Sequence, residues 1–242
     1  MEKAANEKQS FWLSNERVWM DGGWRKEIIK KALAVVFILL AGLAYFLANR
    51  YNNIRFATIK PAILEFPIDQ WIPFDRFFIL PYYYWYFYIA FTVLILFFQK
   101  ESKNYYRLIF SMFVGVMICS IIYVAYPTYV PRSELTGNDF LTQMIARIYA
   151  IDPPYNCFPS MHVLYAFICC WYLAMFKRIG WWFDTLNLLS FVMISLSTVF
   201  TKQHYTPDIV GGIVVGALAC CIFTFVKIKR TNGSKLPEQE VR

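Results

Sequence analysis

The chain of 242 residues contains two histidines, and each stands in a polar cluster able to handle a phosphoryl group. His162 closes Pro159-Ser160-Met161-His162, and His204 lies in Lys202-Gln203-His204-Tyr205-Thr206-Pro207-Asp208. Asp208 follows His204 by about one helical turn, so on a helix start the two side chains share a face. A carboxylate on one imidazole nitrogen fixes the tautomer and leaves the other nitrogen free to attack. Lys202 adds a cation that can neutralise phosphate oxygens. In the first cluster Ser160 can cap a helix beginning at Met161, whose unpaired N–H groups and positive dipole end favour a bound anion. Taken singly, Pro-Ser merely starts a helix, and a lone boundary histidine is an ordinary hydrogen-bonding group. The pair carries the inference.

The elements that must hold these residues are apolar. Hydrophobic residues make up 58% of the chain, aromatics 20% and charged residues only 17%, against roughly a quarter charged in soluble domains. Mean hydropathy is +0.41, and the apolar residues fall in uncharged runs. These features exclude a disordered chain, a disulfide scaffold and an ordinary soluble enzyme. Six segments approach the roughly 20 apolar residues that cross a bilayer: 32–49, 77–98, 108–126, 161–176, 185–200 and 209–226. The fourth and fifth are short and extend into polar neighbours. The expected fold is an all-α integral membrane protein of six transmembrane helices.

Lys and Arg counts set the orientation. Seventeen of the 24 fall in the N-terminal segment, the second and fourth connections and the tail; seven fall in the other three connections. Both termini are therefore expected to be cytoplasmic, with His162 and His204 together on the outer face. The net charge of +8 then reflects basic loops facing anionic lipid, with no nucleic-acid partner. Tyr82-Tyr83-Tyr84-Trp85-Tyr86 and Trp181-Trp182 fit aromatic belts at span ends. Trp12, Trp19 and Trp24 with Arg17, Arg25 and Lys26 suggest an interfacial N-terminal helix. Residues 59–74, broken by Pro61, Pro67 and Pro73, read as a surface segment, and Gly212 and Gly216 as a close-packing pair. The expected organisation is a cytoplasmic and interfacial segment at 1–31, a transmembrane domain at 32–228 and a polar tail at 229–242. Five of the six cysteines lie within spans and Cys157 in a loop without an obvious partner, so no disulfide framework follows.

Three other chemistries compete for the two histidines. A metal site needs more ligands than one suitably spaced Asp supplies, so none is expected. A Ser-His-Asp hydrolase lacks the G-x-S-x-G elbow, and Ser160 is poorly placed to pass a proton to His162. A proton-coupled transporter would carry charges in mid-span, and these spans carry almost none.

Pro-Ser-Met-His and His-Tyr-Thr-Pro-Asp, separated by one hydrophobic hairpin, resemble the type 2 phosphatidic acid phosphatase superfamily. Six spans with both termini inside are similar to its membrane branch, so the resemblance covers most of the chain. It implies that His204 is a nucleophile forming a phosphohistidine, that Asp208 orients it and that His162 protonates the leaving oxygen. Ser160 and its neighbouring backbone would bind phosphate, and no cofactor would be needed. Two positions depart from the family's pattern. Thr198 stands where an Arg usually precedes the last His by six residues, and Lys202 is the nearest replacement. The first motif, Lys and Arg-Pro spaced by six residues, finds a match at Lys100 and Arg107, without the Pro and on the inner side. Arg132, just beyond the third span on the correct face, is the better candidate, with Ala125 where its Lys partner would be.

The altered pattern also looks like the branch containing inositol phosphorylceramide synthases and related lipid phosphotransferases. Three functions therefore stand: an outer-leaflet lipid phosphate or diphosphate phosphatase, a lipid headgroup phosphotransferase, and a lipid-binding or transport protein with degenerate motifs. The expected partners are the bilayer and a lipid phosphate or diphosphate substrate, and the expected location is a bacterial inner membrane.

Overall fold

The structure, a computed structural model, describes residues 23–56, 58–99, 102–175 and 180–225. Among these, seven α-helices follow in order: α1 (Gly23–Arg55), α2 (Ile79–Phe97), α3 (Lys103–Ala125), α4 (Phe140–Ile151), α5 (Met161–Ala174), α6 (Trp181–Phe200) and α7 (Thr206–Phe225). Five of them, α1, α2, α3, α6 and α7, are long and apolar enough to cross a membrane. The chain is an integral membrane protein, and its outer surface fits that solvent. Leu39, Phe46, Ile54, Leu188, Val210 and Leu218 are all exposed, a density of apolar surface that would aggregate in water.

The described helix α5 has 14 residues, about 21 Å at 1.5 Å per residue, less than the ~30 Å hydrocarbon core. Its start at Met161 is where the sequence puts the fourth span. Helix α6 begins at Trp181, ahead of the expected 185, and α1 begins at Gly23. Arg25 and Lys26, read from sequence as part of an interfacial helix, therefore belong to the first long helix. Trp24 falls in that helix too; Trp12, Arg17 and Trp19 of that expected helix, Lys100 and the tail beyond Phe225 lie outside the described residues. Helix α4 was hidden in what the sequence reads as one outer connection. Asp139 caps it, its Oδ1 accepting the N–H groups of Leu141 (3.2 Å) and Thr142 (3.3 Å).

Two ends of the bundle can be told apart by what joins them. At one end Lys31 Nζ donates to the carbonyls of Phe97 (2.7 Å) and Gln99 (2.8 Å), and Arg107 Nη2 donates to the Thr224 carbonyl (2.6 Å). These cations meet the carbonyl ends of α2 and α7, where the helix dipole favours them. The start of α1 and the end of α7 thus share an end. The histidines lie at the other end, with the last turns of α1, α3 and α6. Arg107, the decoy of the sequence pattern, is far from them. Tyr123, sixteen residues further along α3 and so about 24 Å away, donates its hydroxyl to the Pro159 carbonyl beside His162 (2.6 Å).

Several buried polar groups of the core find partners within the bundle, as a lipid environment favours. Tyr105 donates to the Lys31 carbonyl (2.9 Å), Ser111 and Tyr172 hydroxyls lie 2.9 Å apart, and Tyr88 donates to Asn187 Oδ1 (2.6 Å). Glycines let α7 approach α5. A methyl group at Gly212 would lie 2.6 Å from the Ser160 carbonyl, and one at Gly211 2.6 Å from the Phe158 ring. The small-residue face therefore sets the height of the His162 loop.

Candidate active site

His204 sits in the short link between α6 and α7, and a buried threonine holds that link. Thr198 is fully buried, and its carbonyl accepts both the Gln203 N–H (2.9 Å) and the His204 N–H (3.0 Å). Lys202, between them and the helix, takes a positive φ of 53°, a conformation rare for a residue with a side chain. The turn reverses the chain so that α7 starts at Thr206. Asp69, from the proline-broken surface segment, caps that start: its Oδ1 accepts the Thr206 N–H (2.8 Å).

The His204–Asp208 pair then forms within one turn. Nδ1 of His204 lies 3.1 Å from Asp208 Oδ2, the same oxygen that accepts the Tyr205 N–H (3.0 Å). A carboxylate oxygen can only accept, so this pairing puts the proton on Nδ1 and leaves Nε2 with a free lone pair. Asp208 is 1% exposed and His204 7%. The Asp208 carbonyl also accepts the Ser160 N–H (2.9 Å), which ties the two histidine clusters together.

His162 faces His204 across the cavity, with ring centroids 6.1 Å apart and planes at 62°. Its imidazole rests against Tyr82 (4.5 Å) and Trp85 (4.4 Å), and Trp85 Nε1 donates to the His162 carbonyl (2.9 Å). Two residues of the aromatic run thus wall the site. Ser160 is fully buried; its Oγ accepts the Val163 N–H (3.4 Å) as the cap of α5, and it does not line the cavity. Ser160 therefore stands behind the cavity wall as the helix cap, while Met161 and His162 of the first turn face the cavity.

The two candidate cations divide. Arg132 lines the cavity: Nη1 donates to the Lys202 carbonyl (3.1 Å), Nη2 to the carbonyls of Asp152 (3.1 Å) and Pro153 (3.4 Å), and buried Nε has no partner. Tyr149 lies under its guanidinium at 5.1 Å. Lys202 is adjacent in the chain but turned away. Its ammonium donates to the carbonyls of Ile72 (2.5 Å) and Asp69 (3.4 Å), because the left-handed turn points the side chain at the surface segment. The cation that faces the imidazoles is Arg132.

The cavity has a volume of about 340 Å³. Asp152, at the end of α4, lines it, and the sequence reading missed this residue. Its Oδ1 accepts the Tyr45 hydroxyl (3.2 Å). Burial pushes its carboxyl above the ordinary range, against the pull of Arg132, His204 and the Tyr45 hydroxyl. The only signal was an acid before Pro153-Pro154, a pattern common to any helix end. Cys157, also on the wall, is buried, and burial pushes its thiol well up, so it is a packing residue and not a thiolate. No group of three His, Cys, Asp or Glu side chains converges among the described residues.

The family model described as the PAP2 superfamily matches residues 61–222, a stretch that holds both histidines, Asp208, Arg132 and Asp152. No curated protein and no solved structure matches the chain.

Proposed function

The chain belongs to the PAP2 superfamily, and from that premise we propose that it is a membrane-embedded lipid phosphate or diphosphate phosphatase acting through a phosphohistidine on His204. The observation that carries this reading is the His204 Nδ1–Asp208 Oδ2 pair, which leaves Nε2 as the nucleophile at the edge of a cavity. The phosphate would lie between the two imidazoles, against Arg132 and the first turn of α5. The Nε2 lone pair attacks phosphorus in line as the ester P–O bond breaks. The leaving oxygen takes a proton from His162. Water then attacks phosphorus, the N–P electron pair returns to Nε2, and the water's proton passes to His162, which restores the starting state. Arg132 meets the charge that develops on the equatorial oxygens.

Apolar side chains on the same cavity, Phe46, Ile148 and Ile151, suit the start of an acyl or prenyl chain. The excess of Lys and Arg in the other connections supports a site at the outer face of the membrane. One observation favours a second reading, transfer of the phosphoryl group to an alcohol: Tyr45 and Asp152 give the cavity hydrogen-bonding groups beyond those the phosphate needs. Phosphate release from a panel of lipid phosphates and diphosphates, with chelator present and His204→Ala as blank, tests the proposal. Matched reactions with added alcohols identify a transferase by a new, alcohol-dependent phosphate monoester. Silence in both would remove the enzymatic reading.

A further inference from the structure

Gln203 is the residue immediately before the nucleophile, and it is 1% exposed. Among the described residues it is the buried carboxamide left with both ends unpaired: neither Oε1 nor Nε2 has a hydrogen-bond partner. Asn187 and Asn52 each have at least one end engaged, though Asn52 Oδ1 is itself unpaired. Asn187 accepts from Tyr88 and donates to the Cys170 carbonyl, and Asn52 donates to the Tyr123 carbonyl. A buried polar group without partners is unfavourable and calls for an explanation. Gln203 lines the same cavity as His162, His204 and Arg132. Its main chain is held by the Thr198 carbonyl, so the side chain is aimed by a fixed turn.

The two ends of the amide demand different partners. Nε2 donates and can be satisfied by a phosphoryl oxygen. Oε1 accepts, and a phosphoryl group bound to histidine offers it no proton. The group that arrives with protons is the nucleophile of the second step. Water has two: one can go to Oε1 while the other points to His162, which must receive it. An alcohol has one, and the reaction needs that proton at His162. An amide that bridges phosphate and a water proton therefore positions water in line and gives an alcohol no equivalent hold; glutamines orient attacking water in other phosphoryl-transfer sites.

We propose that Gln203 is a specificity-determining residue that selects water over alcohols as the group that opens the phosphohistidine. Its Nε2 donates to a phosphoryl oxygen and its Oε1 accepts one water proton. The water oxygen forms the new P–O bond as the N–P bond breaks, its electron pair returns to His204 Nε2, and the second proton passes to His162. The inference rests on His204 as nucleophile.

The test uses the full-length protein in detergent with ³²P-labelled phosphatidic acid, ceramide phosphate and a polyprenyl diphosphate, with and without added methanol. Two rates are followed, the pre-steady-state burst that labels His204 and the steady-state release of phosphate. The third readout is the ratio of methyl phosphate to inorganic phosphate. In Gln203→Met, which keeps the side chain's bulk, the burst amplitude stays within about two- to threefold of wild type. Steady-state hydrolysis falls about 10²-fold, the cost of a misplaced reactant, and labelled enzyme accumulates. The methyl phosphate to phosphate ratio rises at least tenfold. Gln203→Asn, which withdraws the amide by one methylene, shifts the ratio in the same direction. An unchanged ratio overturns the inference, as does a burst that falls together with turnover, which assigns Gln203 to the scaffold. A wild type that forms neither labelled enzyme nor product overturns the functional reading and this inference with it; an active wild type with an unchanged ratio overturns this inference alone.

Discussion

Asp208 Oδ2 holds His204 Nδ1 at 3.1 Å and the Tyr205 N–H at 3.0 Å, so one oxygen fixes both the imidazole and the backbone that carries it. An Asn at this position keeps the shape but removes the carboxylate charge that supports the cationic imidazole formed as Nε2 bonds to phosphorus. Asp208→Asn is expected to lower kcat by on the order of 10⁴-fold, the scale of the equivalent change in a Ser-His-Asp triad. The melting temperature in detergent should barely move. Single-turnover kinetics check this, and near-normal phosphorylation of His204 in the variant would remove the orienting role.

Arg132 and Lys202 should separate in kinetics because their charged groups face different partners. Arg132→Ala is expected to reduce kcat/KM by about 10²–10³-fold, the cost of removing one preorganised donor. Arg132→Lys should not rescue it, since an ammonium cannot replace a fork that binds three carbonyls. Lys202→Met should instead lower stability by about 1–3 kcal/mol through the lost hydrogen bonds, with little change in turnover per folded molecule. The opposite pattern would give the catalytic charge to Lys202.

The apolar runs and the two histidine clusters were legible in the sequence because spans and turns leave one-dimensional signals. His204 and Asp208 are four residues apart, a spacing the sequence shows, although His204 precedes α7 and it is the turn held by the Thr198 carbonyl that sets its ring on the carboxylate. Arg132 was legible only through its side of the membrane, and Asp152 was not legible, since the residues that enclose it come from α1, α4 and the outer loops. Ser160 and Lys202 show what spacing cannot reveal. Both lie beside the site in the chain, yet Ser160 caps α5 behind the cavity wall and a left-handed turn aims the Lys202 ammonium at Ile72. Helix α4 escaped because an amphipathic helix of 12 residues falls below the length of a span.

Gly212 bears on the site although it contributes no side chain. A Cβ there would meet the Ser160 carbonyl at 2.6 Å, and backbone cannot move aside cheaply. Gly212→Ala is expected to destabilise the bundle by about 1–3 kcal/mol and to lower kcat as α5 and His162 shift against His204. Denaturation in detergent and activity assays on the same preparation check both. A stable variant with full activity would show that the approach of α7 to Ser160 is not needed.

Asp152 should make stability depend on pH. Its folded-state carboxyl titrates above the ordinary value of 3.8, chiefly through burial. A raised value means that the folded protein holds the proton more tightly than the unfolded chain. The associated stability is present below the ordinary carboxylate range and is lost as pH rises through the folded value. Asp152→Asn keeps a neutral side chain throughout, so its stability relative to wild type should grow as pH rises above about 3.8. Thermal unfolding of both proteins across pH checks this; parallel curves would show that Asp152 does not titrate on folding.

The central claim is a covalent phosphoryl group on His204. Wild-type protein mixed with ³²P-labelled lipid phosphate and quenched in alkali should carry acid-labile, base-stable label on the peptide that contains His204. His204→Ala should carry none. Phosphate release by the wild type with no such label, or with label on another residue, would contradict the account.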